Sequence, residues 1–162
     1  METKIIVLCG YIKEDKILLL RRKKEPFKSL LGLPGGKMQY GETIEDAGVR
    51  EFLEETGIKT TCRCIAGINN EILMMQNSES KKFDRVYHLL IFVVELVGKE
   101  TNWKGSDEGD LEWVSLKDLD SLPLIPSDSV MTKKFLLEKH ENILNMNMIM
   151  KEEKGKYSIV EV

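Results

Sequence analysis

Residues 36–58, GKMQYGETIEDAGVREFLEETGI, predict a helix with one apolar and one acidic face. Thr43 can cap the first turn with its hydroxyl, and Gly57 can end the last one. Glu45 and Asp46 suit the positive end of the helix dipole. At about 100° per residue, four residues are predicted on the core side, Val49, Phe52, Leu53 and Thr56. The acidic face consists of Glu51, Glu54 and Glu55.

The three glutamates point to a bound cation or to open solvent. Like charges three and four residues apart destabilise a helix by about 0.2–0.5 kcal/mol per pair. Arg50 can offset only part of this repulsion. Magnesium is held by a few carboxylates together with substrate phosphates and water, which three glutamates in this pattern can supply. A solvated acidic face is the alternative reading of the three glutamates alone.

Length and charge favour a single domain, residues 1–162, and exclude some partners. A formal charge of -3, from 24 basic and 27 acidic residues, provides no cationic field for a nucleic-acid duplex. No apolar run reaches the roughly 18 residues of a membrane span, and residues 1–10 lack a signal-peptide pattern. We therefore expect a cytoplasmic protein without a membrane partner. Cys9, Cys62 and Cys64 are expected to be buried or half-buried free thiols.

Alternating and β-branched runs predict a mixed sheet with helices packed on its faces, an α/β or α+β layered domain. Strands are predicted at residues 3–12, 16–20, 60–75, 85–97, 111–114, 142–151 and 156–162. Further helices are predicted at 116–122 and 127–140, the second capped by Ser127 or Asp128. Residues 25–36 and 99–110 are predicted loops.

Seven residues of the opening stretch follow the spacing Gly-x5-Glu-x7-Arg-Glu-x2-Glu-Glu-x-Gly: Gly36, Glu42, Arg50, Glu51, Glu54, Glu55 and Gly57. At average residue frequencies, this arrangement would occur by chance in roughly one chain in a million of this length. It resembles the Nudix box, and Ile58, residues 34–37 and residues 41–43 also match the family. Phe52 stands where a smaller aliphatic residue is usual, on the predicted core face. The resemblance implies a Nudix hydrolase, with the family's mixed sheet between helices.

The resemblance also implies roles for individual residues. Glu51, Glu54 and Glu55 correspond to the magnesium ligands, with manganese as an alternative ion. The carbonyl of Gly35 would add another ligand oxygen, and Arg50 would orient the glutamates by ion pairing. Glu108, which precedes a late strand, is the candidate fourth carboxylate, as ligand or general base, and an ordinary loop acid is the alternative.

The implied reaction is hydrolysis of a phosphoanhydride in a nucleoside diphosphate linked to another group. Metal ions bridge the phosphates and lower the pKa of the attacking water, whose proton a carboxylate accepts. Glu108, Glu51 and Glu54 are all candidates for this base. Arg22 and Lys37 are candidates to neutralise phosphate oxygens, with solvated surface charge as the alternative.

The second half of the chain resembles the 8-oxo-dGTP diphosphatases of the same family. The parallels are residues 41–46, residues 106–108 before Trp113, residues 125–129 and a closing hairpin. In the mammalian member, a tryptophan and two aspartates read the base edge. Here the corresponding residues are Ile125, Ser127 and Asp128, and Gly32 matches an asparagine that contacts the base. A helix cap is the alternative role of Asp128.

Three functions follow from these patterns. The first is a magnesium-dependent nucleoside triphosphate diphosphatase that releases pyrophosphate and favours oxidised purine nucleotides. The second is a Nudix pyrophosphatase of a nucleotide sugar, a dinucleotide or an RNA 5′ end. The proline that usually marks ADP-ribose pyrophosphatases and the tyrosine of diadenosine polyphosphate hydrolases are replaced by residues 74–76, MMQ. The third is a non-catalytic module that binds nucleotides.

Overall fold

The computed structural model describes residues 3–99 and 103–162. Its central feature is a long mixed sheet. The strands are β1 (Thr3–Lys13), β2 (Lys16–Arg22), β3 (Leu31–Gly32), β4 (Gly35–Lys37), β5 (Thr60–Gln76), β6 (Phe83–Gly98), β7 (Gly109–Ser115), β8 (Leu144–Glu153) and β9 (Lys156–Glu161). Strand β1 pairs in parallel with β6, and β5 pairs in parallel with β8. The β1–β4, β5–β6 and β8–β9 pairs are antiparallel. Strand β2 pairs with β3 and β7 and joins the long sheet through its hairpin with β1. The predicted mixed α and β architecture is confirmed.

Helix α1 (Ile44–Thr56) begins and ends as its sequence predicts. The Thr43 hydroxyl accepts a hydrogen bond from the Asp46 amide at 3.1 Å, and Gly57 closes the helix with φ 73°. The predicted core face is partly wrong, because Leu53 is 40% exposed while Glu55 is only 6% exposed. The helix is therefore rotated about its axis relative to the prediction, and Gly48 explains why. It lies so close to the sheet that an added Cβ would come within 2.7 Å of Val94, which turns the Gly48 side of the helix inward.

Two apolar clusters lie on the two faces of the long sheet. One packs α1 against the sheet and includes Val7, Phe52 and Val94. The other lies between the opposite face and the β2–β3–β7 layer, and it includes Leu19 and Ile91. The face of the long sheet that carries the second cluster is its inner face.

The predicted C-terminal helix begins earlier and ends earlier than expected. It consists of α2 (Pro126–Met131), which continues as a π-helical turn, Thr132–Leu137. Pro126 has the fixed φ that suits a first helical position, so Ile125 becomes the N-cap. The prediction that Ser127 or Asp128 caps this helix is therefore wrong.

The remaining predicted elements need small corrections. A 3-10 helix at Leu116–Ser121 confirms the predicted short helix, and the predicted loop 25–36 contains β3 and β4. In the predicted loop 99–110, residues 100–102 lie outside the described residues, and its last two residues belong to β7. The three cysteines are free thiols, but Cys64 is exposed. In the described part of the chain, no helix has the length and apolar character to cross a membrane.

Candidate active site

A pocket of about 880 Å³ lies over the inner face of β1, β5 and β6. Its other walls come from β2, from the segments around β3 and β4, from α1 and from the start of α2. Its lining includes these predicted site residues: Arg22, Gly32, Gly35, Lys37, Glu51, Glu54, Glu55, Glu108 and Asp128. Tertiary structure thus brings together residues that are separated by more than half of the sequence.

Arg50 is the predicted site residue that does not line the pocket, and it forms hydrogen bonds with three glutamates. Its guanidinium donates to both oxygens of Glu42, at 2.5 and 3.0 Å, and to Oε1 of Glu51 at 2.8 Å. It also donates to the Lys37 carbonyl at 3.1 Å and, at 3.4 Å, to Glu54. The hydrogen bond to Glu42 raises the pKa of Arg50, and the same bond lowers the pKa of Glu42. Paired guanidinium and carboxylate groups of this kind fix orientation as well as charge.

The two glycines of β4 make room for two carboxyl groups of α1. An added Cβ on Gly36 would lie 2.5 Å from Oε2 of Glu51, so only glycine leaves space for this carboxylate. Gly35 has φ +145°, and its amide donates to Oε2 of Glu55 at 2.8 Å. Backbone and helix are therefore in direct contact at the point where the sequence motif predicts a metal site.

Burial raises the pKa of Glu55 to about 7. The Gly35 amide works against this rise, while the negative charges of Glu51 and Glu108 add to it. Glu54 is 58% exposed, and Glu108 forms an ion pair with Lys24 at 2.8 Å. Within residues 3–99 and 103–162, no three acidic, histidine or cysteine side chains lie close enough together to hold a metal ion by themselves. The acids form an open group around one part of the pocket.

Asp128 and Gly32 meet on another part of the lining. The Asp128 carboxylate accepts a hydrogen bond from the Leu33 amide at 2.8 Å, and an added Cβ on Gly32 would lie 2.7 Å from the same oxygen. Burial raises the pKa of Asp128 to about 7, although the Leu33 amide and the charge of Arg22 lower it. Asp128 is thus a buried acid that faces the pocket.

Glu71 is a lining residue that the sequence analysis missed. It is 1% exposed and accepts a hydrogen bond from Asn69 at 3.3 Å. Burial raises its pKa to about 7, and the charge of Asp128 adds to the rise. The only signal in the sequence is that three consecutive polar residues, Asn69, Asn70 and Glu71, interrupt the apolar run of β5, which does not decide which of them faces inward.

Arg22 and Lys37 reach the same pocket from two strands. Arg22 also donates through Nε to the Pro26 carbonyl at 2.9 Å. Two further cations of the lining, Lys4 and Arg85, were missed because they come from distant strands without a local motif. Lys4 packs over the ring of Tyr87 at 4.9 Å. The pocket therefore combines acids and bases, as a site for phosphates with counterions requires.

Comparisons with known proteins agree with this geometry. A family model described as "NUDIX domain" matches residues 3–135. The "ADP-ribose pyrophosphatase" of Methanocaldococcus jannaschii is 35% identical over 112 residues, which cover 68% of this chain and 60% of that protein. The "Putative 8-oxo-dGTP diphosphatase" of Bacillus subtilis is 34% identical over 103 residues, 64% of this chain and 60% of that protein.

The fold also matches a solved structure over almost its whole length. The MutT protein from Bacillus halodurans superposes with a TM-score of 0.64 at 24% identity and covers 97% of both chains. The chain spans 60% of the length of each of the two relatives named above. The two relatives have different substrates in their names, so their similarity supports the family and leaves the substrate open. Four of the seven motif residues line one pocket, namely Gly36, Glu51, Glu54 and Glu55. Together with the motif, the match over residues 3–135 shows that the chain belongs to the NUDIX family.

Proposed function

We propose that residues 1–162 form a single magnesium-dependent hydrolase domain that converts a nucleoside triphosphate to the monophosphate and pyrophosphate. The favoured substrates are oxidised purine nucleotides such as 8-oxo-dGTP, and the enzyme acts in the cytoplasm. One observation carries the proposal, namely a single pocket lined both by the acids of α1 and by the buried carboxyl group of Asp128. Its volume of about 880 Å³ lies in the range of small-molecule and cofactor sites. The B. subtilis relative supports the choice of substrate.

The chemistry of the lining fits magnesium. The candidate ligands are carboxylate oxygens of Glu51, Glu54, Glu55 and Glu108 and the carbonyl of Gly35, all of the hard oxygen type that this ion prefers. Since no three acids of the described residues converge on one point, the ion would need waters and substrate phosphates as further ligands, which magnesium commonly uses. Manganese can take the same ligands. When bound, the metal neutralises phosphate charge and lowers the pKa of the attacking water.

The side chains themselves bind, orient and accept a proton. Arg50 holds the Glu51 carboxylate in place through its bond at 2.8 Å. Arg22 and Lys37 neutralise phosphate oxygens. A carboxylate, from Glu108, Glu51 or Glu54, accepts the proton of the water. The new bond joins the water oxygen to phosphorus, the phosphoanhydride bond breaks, and pyrophosphate leaves with the bonding electrons.

A substrate panel tests this proposal. The purified chain is incubated with magnesium and 8-oxo-dGTP, dGTP, dATP, ADP-ribose, a nucleotide sugar and a capped RNA, and products are separated and identified. We expect pyrophosphate and the nucleoside monophosphate, with the highest kcat/KM for the oxidised purine nucleotide. Orthophosphate as the sole product would contradict the proposed bond cleavage.

Two substitutions test the acids of α1. Glu54→Gln and Glu55→Gln should each lower kcat by about 100-fold or more, because loss of a metal-binding carboxylate removes charge stabilisation in the transition state. Both should retain the circular dichroism spectrum of the native chain. Glu45→Gln is the matched control, since Glu45 lies on the same helix but is exposed in its first turn. Full activity in both pocket variants would refute the metal-site assignment.

Hydrolysis of ADP-ribose is the second candidate function. The observation in its favour is the 35% identity to the "ADP-ribose pyrophosphatase" of M. jannaschii. The same panel decides between the two. AMP and ribose 5-phosphate, formed with a higher kcat/KM than any triphosphate substrate shows, would establish this second function.

A further inference from the structure

Glu71 is a buried acid for which the proposed hydrolysis has no use. Along the inner side of β5, Asn69, Glu71 and Leu73 are all buried, whereas Ile72 on the outer side is only half-buried. A carboxyl group in such a position costs free energy of folding unless it is paired. An apolar residue would be more stable here. The acid is therefore better explained by a ligand than by the fold.

The surroundings of Glu71 supply few donors and no countercharge. In the described ranges of the chain, it forms no ion pair, and its partners are the side chains of Asn69, at 3.3 Å, and Ser127. Its acidic neighbour is Asp128, which lines the pocket from α2 and is 5% exposed. One oxygen of Asp128 accepts from the Leu33 amide, while Oδ1 accepts no hydrogen bond from the described residues. Two buried carboxyl groups thus face a pocket with unused capacity to accept hydrogen bonds.

These two acids form a group separate from the acids of α1. The acids that raise the pKa of Glu55 are Glu51 and Glu108, whereas the acid that raises the pKa of Glu71 is Asp128. Arg22 lies between the two groups in effect, since its charge lowers the pKa of both Glu55 and Asp128. The pair also has apolar neighbours in the lining, since Leu89 lies opposite Glu71 on β6, and Ile125 lies beside Asp128 at Gly32. A flat ring can lie between such side chains while its edge meets the carboxyl groups.

Hydrogen-bond chemistry then selects the kind of ring. Above a pH of about 7, where Glu71 and Asp128 release their protons, each carboxylate only accepts hydrogen bonds, so its ligand must donate them. A guanine-type base presents two neighbouring N–H donors, N1–H and the 2-amino group. Adenine and cytosine place an acceptor nitrogen beside their amino group, and thymine has a single N–H donor. Among the common bases, the guanine edge therefore matches the pair best.

We propose that Glu71 is a specificity-determining residue that binds, together with Asp128, the N1–H and 2-amino group of a guanine-type base. The proposal rests on the nucleotide substrate proposed above and extends it to the base. It assigns base recognition to β5 as well as to α2.

Binding without metal and without turnover tests this role. At pH 8, calorimetry measures the affinities of dGMP, dIMP and 2-deoxyribose 5-phosphate for the native chain and for Glu71→Gln. dIMP lacks only the 2-amino group, and the sugar phosphate lacks the base. The native chain should bind dGMP about tenfold more tightly than dIMP, since one hydrogen bond to a charged group contributes about 1.5 kcal/mol. Glu71→Gln should bring the two affinities within about threefold of each other and leave that of the sugar phosphate unchanged.

Controls separate recognition from folding. Glu153→Gln removes an exposed acid from β8 and should retain the preference for dGMP. Glu71→Leu should fold, because leucine already occupies the next inner position of β5, and should also lose the preference. An unchanged preference for dGMP in Glu71→Gln, or equal losses for all three ligands, would overturn the proposal.

The binding assay and the hydrolysis panel fail independently. A dGMP preference that depends on Glu71 supports base recognition even if the panel shows no triphosphate hydrolysis. Triphosphate hydrolysis with a base preference that Glu71→Gln does not alter refutes the role of Glu71 and leaves the proposed reaction intact.

Discussion

Replacement of Glu71 by glutamine should stabilise the folded chain at pH 8 and have a much smaller effect at pH 5. The ordinary pKa of this side chain is 4.5, and burial next to Asp128 raises it to about 7 in the folded state. Between these values the folded carboxyl group keeps a proton that the unfolded chain has released. The free energy of unfolding therefore falls as the pH rises through this window.

The size of the effect follows from the pKa shift. Each pKa unit corresponds to about 1.36 kcal/mol, so the ionised carboxyl group destabilises the folded state by up to about 3 kcal/mol at pH 8. At pH 5 most of this penalty is absent, and about 1 kcal/mol remains. Glutamine has nearly the same shape and carries no charge, so Glu71→Gln should be more stable than the native chain by these amounts. Asp128 remains in both proteins, with a pKa raised in the same direction.

Urea unfolding at pH 5 and pH 8, followed by far-ultraviolet circular dichroism without metal or nucleotide, measures the difference. Equal slopes of free energy against urea are required, so that the change reflects stability and not compactness. Glu153→Gln is the control, because its acid is exposed on β8 and should show no comparable gain. The same gain at both pH values, or a loss of stability at pH 8, would refute the reasoning.

Three further substitutions test the acids, their support and the core. Gly36→Ala places a Cβ 2.5 Å from Oε2 of Glu51, so kcat should fall by about 100-fold in a magnesium-dependent assay while the melting temperature changes little. A variant with the native kcat would show that the Glu51 carboxylate does not need this space. Arg50→Lys loses the paired bonds to Glu42, and its kcat should fall about 10- to 100-fold with KM less affected; an effect on KM alone would contradict this positioning role. Phe52→Leu should lower the free energy of unfolding by about 1–2 kcal/mol in urea titrations and leave kcat unchanged, because this ring packs in the core away from the pocket; loss of activity in a folded variant would argue against a purely structural ring.

Local patterns predicted much of the architecture correctly. The cap at Thr43 and the stop at Gly57 depend on chemistry within one helical turn, and the structure confirms both. Both predicted hairpins are present. They were predictable because alternating apolar residues and a short polar turn are also local signals. The spacing of the motif residues predicted the family, and the match over residues 3–135 confirms it.

The errors came from contacts between distant segments. Leu53 was predicted in the core, yet the close approach of Gly48 to the sheet turned Glu55 inward in its place. A helix cap was the alternative role predicted for Asp128. Its carboxylate instead accepts a hydrogen bond from the amide of Leu33, almost a hundred residues earlier in the chain. Rules based on neighbouring residues could predict neither contact, because the sheet next to Gly48 and the Leu33 amide both lie far away in the sequence.

By itself, the sequence determined the acidic helix, its glycine neighbours and the family, because these depend on fixed spacing over a few turns of chain. Tertiary structure alone decided which acids are buried and what they face. Strand β5 has apolar residues on both of its sides, so periodicity could not decide whether Ile72 or Glu71 lies inward. The pairing of β5 with β6 and β8 decided which side faces inward. It placed Glu71 in the same pocket as Asp128.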